Sequence, residues 1–265
     1  MYCNNSGEPG NEIKKYYDKF APFLLRDYFD GNLRIEAAIR FVLPSIPVAT
    51  RNILDIGCGV GWSTWEIKRC HNKASILGID LSSETINIAK KLFRENKKLC
   101  FSSQDILTIP DIYVHSFDAI IMIDSYEHIS KESREKLHKF LNNSLRNDGV
   151  IILTFPSIFH QKYLKENRPN ELQPIDEDIT IKDMVKLATD VNGEIVYFVY
   201  KDIWNKNDYV HVVIKRNMNK CNKEEVSIKK QRVNIESRFI RRIRSLVCFG
   251  FAIINQRRKS VAKIK

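Results

Sequence analysis

The stretch Ile53-Leu54-Asp55-Ile56-Gly57-Cys58-Gly59-Val60-Gly61-Trp62 decides the fold of this chain. A mostly apolar run enters three glycines at alternate positions, and an amphipathic segment, residues 62–70, follows at once. Glycine adopts torsions closed to other residues and lets a ligand lie directly against main-chain N–H groups. Strand, glycine turn and helix in that order open an α/β sheet. The spacing is Gly-x-Gly-x-Gly, not the Gly-x-Gly-x-x-Gly dinucleotide fingerprint, which argues against a pyrophosphate seated on the helix N-terminus. Asp55 would also repel a pyrophosphate and suits a cationic ligand, such as a sulfonium carrying an amino group.

Outward from that turn, short apolar runs alternate with amphipathic stretches. Strands are predicted over residues 52–57, 75–80, 99–104, 117–123, 150–155, 194–200 and 209–215, and helices over 62–70, 83–96, 131–145 and 181–191. Ser82 and Thr180 are placed to cap helices, and Gly193 to end one. This alternation predicts an α/β fold: a Rossmann-like, seven-stranded, mostly parallel sheet with an antiparallel last strand and helices on both faces. Residues 11–43 read as helical, with Tyr16, Phe20, Phe23 and Leu24, then Ile35, Ile39, Val42 and Leu43, at helical spacing until Pro44 and Pro47. The insert 157–178, with Pro169 and Pro174, reads as a loop or lid. The organisation predicted is a helical cap over 1–50, a core over 51–216 and a basic extension over 217–265.

Open α/β sheets bind ligands at the C-terminal ends of their strands. The second strand ends at Gly78-Ile79-Asp80, with Leu81 next, and an acid there can accept both hydroxyls of a ribose. The third ends at Gln104-Asp105-Ile106, where the acid can accept from an exocyclic amine and Ile106 can pack on a purine. Acids at three successive strand ends thus address amine, ribose and adenine.

These motifs carry a resemblance. LDIGCGVG, GIDLS, SQDI, FDAIIMIDSYEH and LRNDGVIILTFPS, in that order over residues 51–155, resemble the core of class I S-adenosylmethionine-dependent methyltransferases. The resemblance implies S-adenosyl-L-methionine as cofactor. Asp55, Gly57, Gly59 and Gly61 would lie at its methionine part, Asp80 and Leu81 at the ribose, Gln104, Asp105 and Ile106 at the adenine, and Ile123 beside the methionine. Within that superfamily the chain is similar to the ubiquinone-biosynthesis-type small-molecule O-methyltransferases. That similarity implies a role for Arg34 at the cofactor carboxylate and for Tyr17 as a cover. It also offers Asp124, Glu127 and His128 as ligands for a divalent ion; a hydrogen-bonded loop without metal is the favoured alternative, because ligand type alone does not fix coordination.

Methyl transfer from a sulfonium needs alignment more than covalent help. A hydroxyl acceptor can need a general base, and His128, just past the fourth strand, is the candidate; the alternative is that it only orders its loop. His160 in the insert is either a substrate contact or a solvated residue, and Trp62 and Trp65 are read as packing residues. The expected reaction is transfer to oxygen, less readily to nitrogen, of a small or lipid-linked acceptor. The rivals are a nicotinamide oxidoreductase, disfavoured by the glycine spacing, and a non-catalytic adaptor working through its tail.

The net charge of +11 resides in the tail: residues 217–265 hold 14 Lys/Arg and 3 Asp/Glu, leaving residues 1–216 neutral. Nucleic-acid binding is therefore disfavoured as a reading of whole-chain charge. Arg238, Arg241, Arg242 and Arg244 precede the apolar run 246–254, and Arg257, Arg258 and Lys259 follow. This pattern suggests that residues 238–259 meet an anionic membrane surface, with the arginines at headgroups; docking on the domain is the alternative. The apolar run is too short to span a bilayer. No apolar leader opens the sequence and the six cysteines lack paired spacing, so a cytoplasmic protein, peripheral at the inner membrane face, is expected.

Overall fold

The computed structural model describes residues 9–109, 112–216 and 233–249. Two helices, α1 (Pro9–Asp30) and α2 (Leu33–Ser45), lead into β1 (Asn52–Ile56), α3 (Trp62–Cys70), β2 (Ser75–Asp80), α4 (Ser83–Leu92) and β3 (Leu99–Ser103). There follow β4 (Phe117–Ile123), α5 (Lys131–Ser144), β5 (Leu145–Pro156), α6 (Ile158–Asn167), α7 (Ile181–Asp190), β6 (Gly193–Lys201), β7 (Tyr209–Arg216) and α8 (Arg238–Phe249).

The seven strands form one sheet in the order β3-β2-β1-β4-β5-β7-β6. Strand β7 lies between β5 and β6 and runs antiparallel to both. The other neighbouring pairs are parallel. Successive side chains of a strand point to opposite faces. Ile53, Ile121, Ile152 and Val213 therefore pack under α2, α3 and α4, while Leu54, Ile120, Ile151 and Val212 pack under α5 and α7. Burial on both faces explains the continuous apolar runs of β4 and β5. The strand order reverses at β1, whose neighbours are β2 and β4, and this switch point opens a crevice at the strand ends.

Several elements differ from the sequence expectation. The N-terminal helical stretch is two helices. Gly31, at φ +91°, ends α1, and the Asn32 side chain caps α2 by accepting from the N–H groups of Arg34 and Ile35. Pro44 falls in the last turn of α2, so the helix runs one residue past it. The insert 157–178 is not only loop: Ser157 accepts from His160 N–H at 3.2 Å and starts α6, which ends before Pro169. The Ser83 helix stops at Leu92 rather than reaching Asn96.

Asp55 anchors the turn within the protein through one of its carboxylate oxygens. Its Oδ2 accepts from Ser63 Oγ at 2.8 Å and Thr64 Oγ1 at 2.7 Å, tying the end of β1 to the first turn of α3. Burial pushes its carboxyl up to about 6, against those two hydrogen bonds.

Helix α8 carries part of the basic extension and lies along α1 and α4. Two of its arginines, Arg241 and Arg244, are turned inward instead of outward to headgroups, while Arg238 and Arg242 stay about half exposed. Arg241 is 1% exposed, stacks 4.3 Å above the Trp62 ring and meets Glu36 Oε1 at 3.0 Å. Arg244 lies 4.5 Å from the Trp65 ring and donates to Tyr28 Oη at 2.9 Å and Glu236 Oε2 at 2.7 Å. The guanidinium plane stacks on an aromatic face while its edge donates, a combination lysine cannot reproduce. Residues 217–232 and 250–265, with Arg257, Arg258 and Lys259, lie outside the described residues. No helix among the described residues is long and apolar enough to cross a membrane. The described cysteines Cys58, Cys70, Cys100 and Cys248 are free.

Two outcomes follow for stability. Arg241→Ala leaves Glu36 without its nearest buried partner, and urea denaturation is expected to read a loss of about 3 kcal/mol. The Asp55 carboxyl holds its proton in the fold to a higher pH than in the unfolded chain. The folded state therefore binds more protons between about pH 4 and pH 6, and this group makes stability fall as pH rises through that window, by on the order of 3 kcal/mol, and level off above it. Asp55→Asn is expected to remove that slope in urea titrations run across the window.

Candidate active site

A cavity of about 530 Å³ opens at the switch point. Its size suits a small molecule or cofactor. Its floor is the glycine turn. Gly57 and Gly59 take φ of +73° and +52°, torsions that L side chains rarely adopt. A Cβ on Gly57 would stand 2.5 Å from Ser125 Cβ, so β1 and β4 can approach only through glycine. Gly61, at φ +81°, faces away from the cavity: a Cβ there would strike Phe101 at 2.8 Å, so it serves the packing of α3 on the sheet. Gly61 and Asp55, both expected at the methionine part, are not among the residues that line the cavity.

The other residues expected at a cofactor lie together. Tyr17, Arg34, Gly57, Gly59, Asp80, Leu81, Gln104, Asp105, Ile106 and Ile123 all line it. Asp80 is held by two main-chain donors, Gly59 N–H at 2.9 Å to Oδ2 and Ser82 N–H at 2.9 Å to Oδ1. Those bonds aim the carboxylate across the β1–β2 ends, while burial raises its pKa above the usual carboxylate range. Asp105 Oδ1 accepts from Leu107 N–H at 2.9 Å. Gln104 Oε1, Trp62 Nε1 and Arg34 Nε are buried in or beside this wall without a protein partner. A nucleoside with ribose hydroxyls, an exocyclic amine and a charged amino-acid tail matches these donors and acceptors.

Helix α1 closes the mouth. Ile13, Tyr17, Phe20 and Leu24 recur at four- and three-residue steps and so line one face over the cavity. The helix is fastened to the start of α4, where Ser82 Oγ donates to Asp18 Oδ1 at 2.7 Å and Lys14 Nζ to Ser83 Oγ at 2.8 Å. Of these, the sequence pointed to Tyr17 as a site residue and to Phe20 and Leu24 only as helical positions; Ile13 fits the same spacing.

The far wall follows β4. Asp124, at φ +47°, turns its buried carboxylate toward Arg34, with Arg34 Nη1 2.9 Å from Oδ2. Arg34 Nη1 also donates to Tyr209 Oη at 3.2 Å. Arg34 is thus already paired within the protein and keeps only its remaining N–H groups for a ligand carboxylate. Glu127 is buried beside His128, with 3.9 Å between Oε1 and Nε2. His128 Nδ1 donates to Ile175 O at 2.7 Å and lies 3.3 Å from Asp176 Oδ1. A carbonyl can only accept, so Nδ1 carries hydrogen and Nε2 is the basic nitrogen of the neutral ring. Burial acts to lower the His128 pKa, but Glu127 and Asp176 outweigh it and push it up to about 9. Burial raises Glu127, countered by His128. Among the described residues no group of three or more His, Cys, Asp or Glu is placed to hold a metal ion.

The 126–128 turn that presents His128 is itself pinned. Tyr126 Oη sits 2.8 Å from His138 Nε2, and His138 Nδ1 sits 2.6 Å from Asp190 Oδ2. The insert contributes Gln173 and Ile175 to the wall, and neither carried a sequence signal. His160 does not line the cavity; it packs among Tyr163, Trp204 and Tyr209.

Residues 53–149 match the family described as a methyltransferase domain. The chain is similar to an uncharacterised protein of Rickettsia prowazekii, at 31% identity over 146 residues, 54% of this chain and 58% of that protein. It is also similar to the phosphoethanolamine N-methyltransferase of Plasmodium falciparum, at 26% identity over 211 residues, 76% of this chain and 77% of that one. Among solved structures, the magnesium protoporphyrin IX methyltransferase of Synechocystis PCC 6803 with bound SAH aligns with a TM-score of 0.62 at 18% identity, over 78% of this chain and 99% of that one. The matched segment contains the glycine turn, Asp80, Asp105 and His128. Residues 53–149 thus resemble a methyltransferase domain, and the chain shares the fold of these solved methyltransferases.

Proposed function

We propose that this chain binds S-adenosyl-L-methionine in the cavity at the β1–β4 switch point and transfers its methyl group to an oxygen of a small acceptor. The observation that carries this reading is the convergence of Asp80, Gln104, Asp105 and the Gly57–Gly59 turn on one cavity. The cofactor supplies an activated methyl carbon. Asp80 accepts from the ribose hydroxyls, Gln104 and Asp105 address the adenine, and the N–H groups of Arg34 left free of Tyr209 face the carboxylate. The acid lining, with Asp27, Asp80, Asp105 and Asp124 against Arg34 and His128, favours a positively charged ligand over a phosphate.

The acceptor lies between α1 and the 124–130 turn, against Tyr17, His128 and the insert residues Gln173 and Ile175. His128 receives the acceptor proton at Nε2. Its ring is 6.1 Å, centroid to centroid, from that of Tyr17, so both meet the same volume. Burial pushes the Tyr17 hydroxyl up, so it stays neutral and acts as a hydrogen-bonding group rather than as a base. A second reading, transfer to an amine, is favoured by the buried Asp124 and Glu127 near His128 and by the broad similarity to a phosphoethanolamine N-methyltransferase.

Calorimetric titration with S-adenosylhomocysteine, with NAD as control, tests the cofactor. Binding of the nucleoside alone, weakened on the order of a hundredfold in Asp80→Ala, is expected; no binding to the folded protein would overturn the reading. Transfer of labelled methyl to a phenol and to phosphoethanolamine separates oxygen from nitrogen. With any accepted substrate, a base must be neutral to act, so turnover is expected to rise with pH toward about 9. His128→Ala should remove that limb and lower kcat by about 10²–10⁴.

A further inference from the structure

Helix α8 is amphipathic in the inverted sense. A surface helix ordinarily buries its apolar stripe on the domain and shows its charges to water. Here Arg241 and Ser245 are buried, and Arg244 is held against Trp65 and Glu236. The outward face is Phe239, Ile240, Ile243, Leu246 and Val247, with Phe239 72% and Val247 73% exposed. At 100° per residue these five side chains occupy about one third of the helix circumference. Isolated exposed apolar residues are ordinary, but a continuous stripe marks a surface that meets something apolar.

We propose that this face of α8 lies in the interfacial layer of an anionic lipid membrane. The neighbouring charges specify the occupant. Arg238 and Arg242 border the stripe, with side chains about half exposed, each tied to the domain by an ion pair longer than 3 Å: 3.7 Å to Glu36 and 3.4 Å to Asp30. The chain beyond α8, residues 250–265, continues with Phe251, Ile253 and Ile254, then carries Arg257, Arg258, Lys259, Lys263 and Lys265 and no acid. Apolar surface followed in the sequence by cations without acids is the chemistry that suits an anionic headgroup layer. A second copy of this chain is a poorer occupant, because a two-fold contact through α8 would bring two such cationic extensions together. The inward arginines are not the headgroup ligands: they fasten the helix to Trp62 and Trp65 so that its apolar side faces out.

The test is flotation of the full chain with phosphatidylcholine vesicles, with and without phosphatidylglycerol. Binding to the anionic vesicles is expected, falling as salt is raised. Phe239→Asp with Val247→Asp alters only exposed side chains and should keep the circular dichroism and Tm of the parent while losing vesicle binding at least tenfold. Replacing Arg257, Arg258 and Lys259 with Gln should weaken binding to anionic vesicles on the order of a hundredfold. Recovery of the parent chain with neither vesicle, or unchanged binding by the folded double variant, overturns the proposal. So does a parent that sediments as a dimer, binds no vesicles and becomes monomeric in the double variant; the face then belongs to a second copy.

Discussion

The structure depends on how closely β1 and β4 approach at the point where strand order reverses. Ser125 occupies the space that a side chain on residue 57 would need, with its Cβ 2.5 Å from where that atom would be, and its Oγ donates to Ile56 O at 3.0 Å. Gly57 in turn donates its N–H to Ile79 O at 2.8 Å, joining the turn to β2. Three strand ends are thereby locked in one register, and the residues that follow them, Cys58, Leu81 and Ser125, form one rim. The cavity is the space left when these ends diverge above the lock. Everything assigned to ligand binding stands at a fixed height above it.

Charge is then distributed by burial. The rim collects acids that the low-dielectric interior would rather keep protonated, and the fold answers them with few cations. Arg34 answers Asp124, and His128 answers Glu127 and Asp176. The pairing of Arg34 makes it a support for the far wall as well as a candidate cofactor contact. The elevated basicity of His128 has the same origin: its proton is stabilised by the carboxylates of Glu127 and Asp176. A site of this kind is suited to a cationic donor and to removal of a proton from its acceptor.

The docking of α8 links the two ends of the described chain. Glu36 on α2 meets both Arg238 and Arg241, and Glu236 receives Arg244 while donating its own N–H to Glu66 on α3 at 2.9 Å. Arg241 covers one face of Trp62, a residue that also lines the cavity, so the extension reinforces the cavity wall from behind. Its charge, which looks in the sequence like a free basic tail, is largely structural within 238–244.

The sequence by itself determined the sheet, the glycine turn and the strand-end acids, because these follow from local rules. Apolar runs buried on both faces read as parallel strands, glycine reports its torsion, and a residue just beyond a strand end stands at the binding edge wherever the strand lies. Asp80, Gln104, Asp105, Ile106 and Ile123 were legible for that reason. Only the tertiary structure decided which neighbours of those residues face the cavity. Asp55 and Gly61 share the motif but point at α3 and Phe101, because the turn rotates successive residues to opposite sides. Gln173 and Ile175 enter from an insert with no periodic signal, and His160 leaves the site because α6 carries it into an aromatic cluster. The direction of the α8 arginines was equally hidden: the helical repeat shows that they share one face with room for stacking, but only Trp62, Trp65 and Glu36, distant in sequence, determine that this face turns inward.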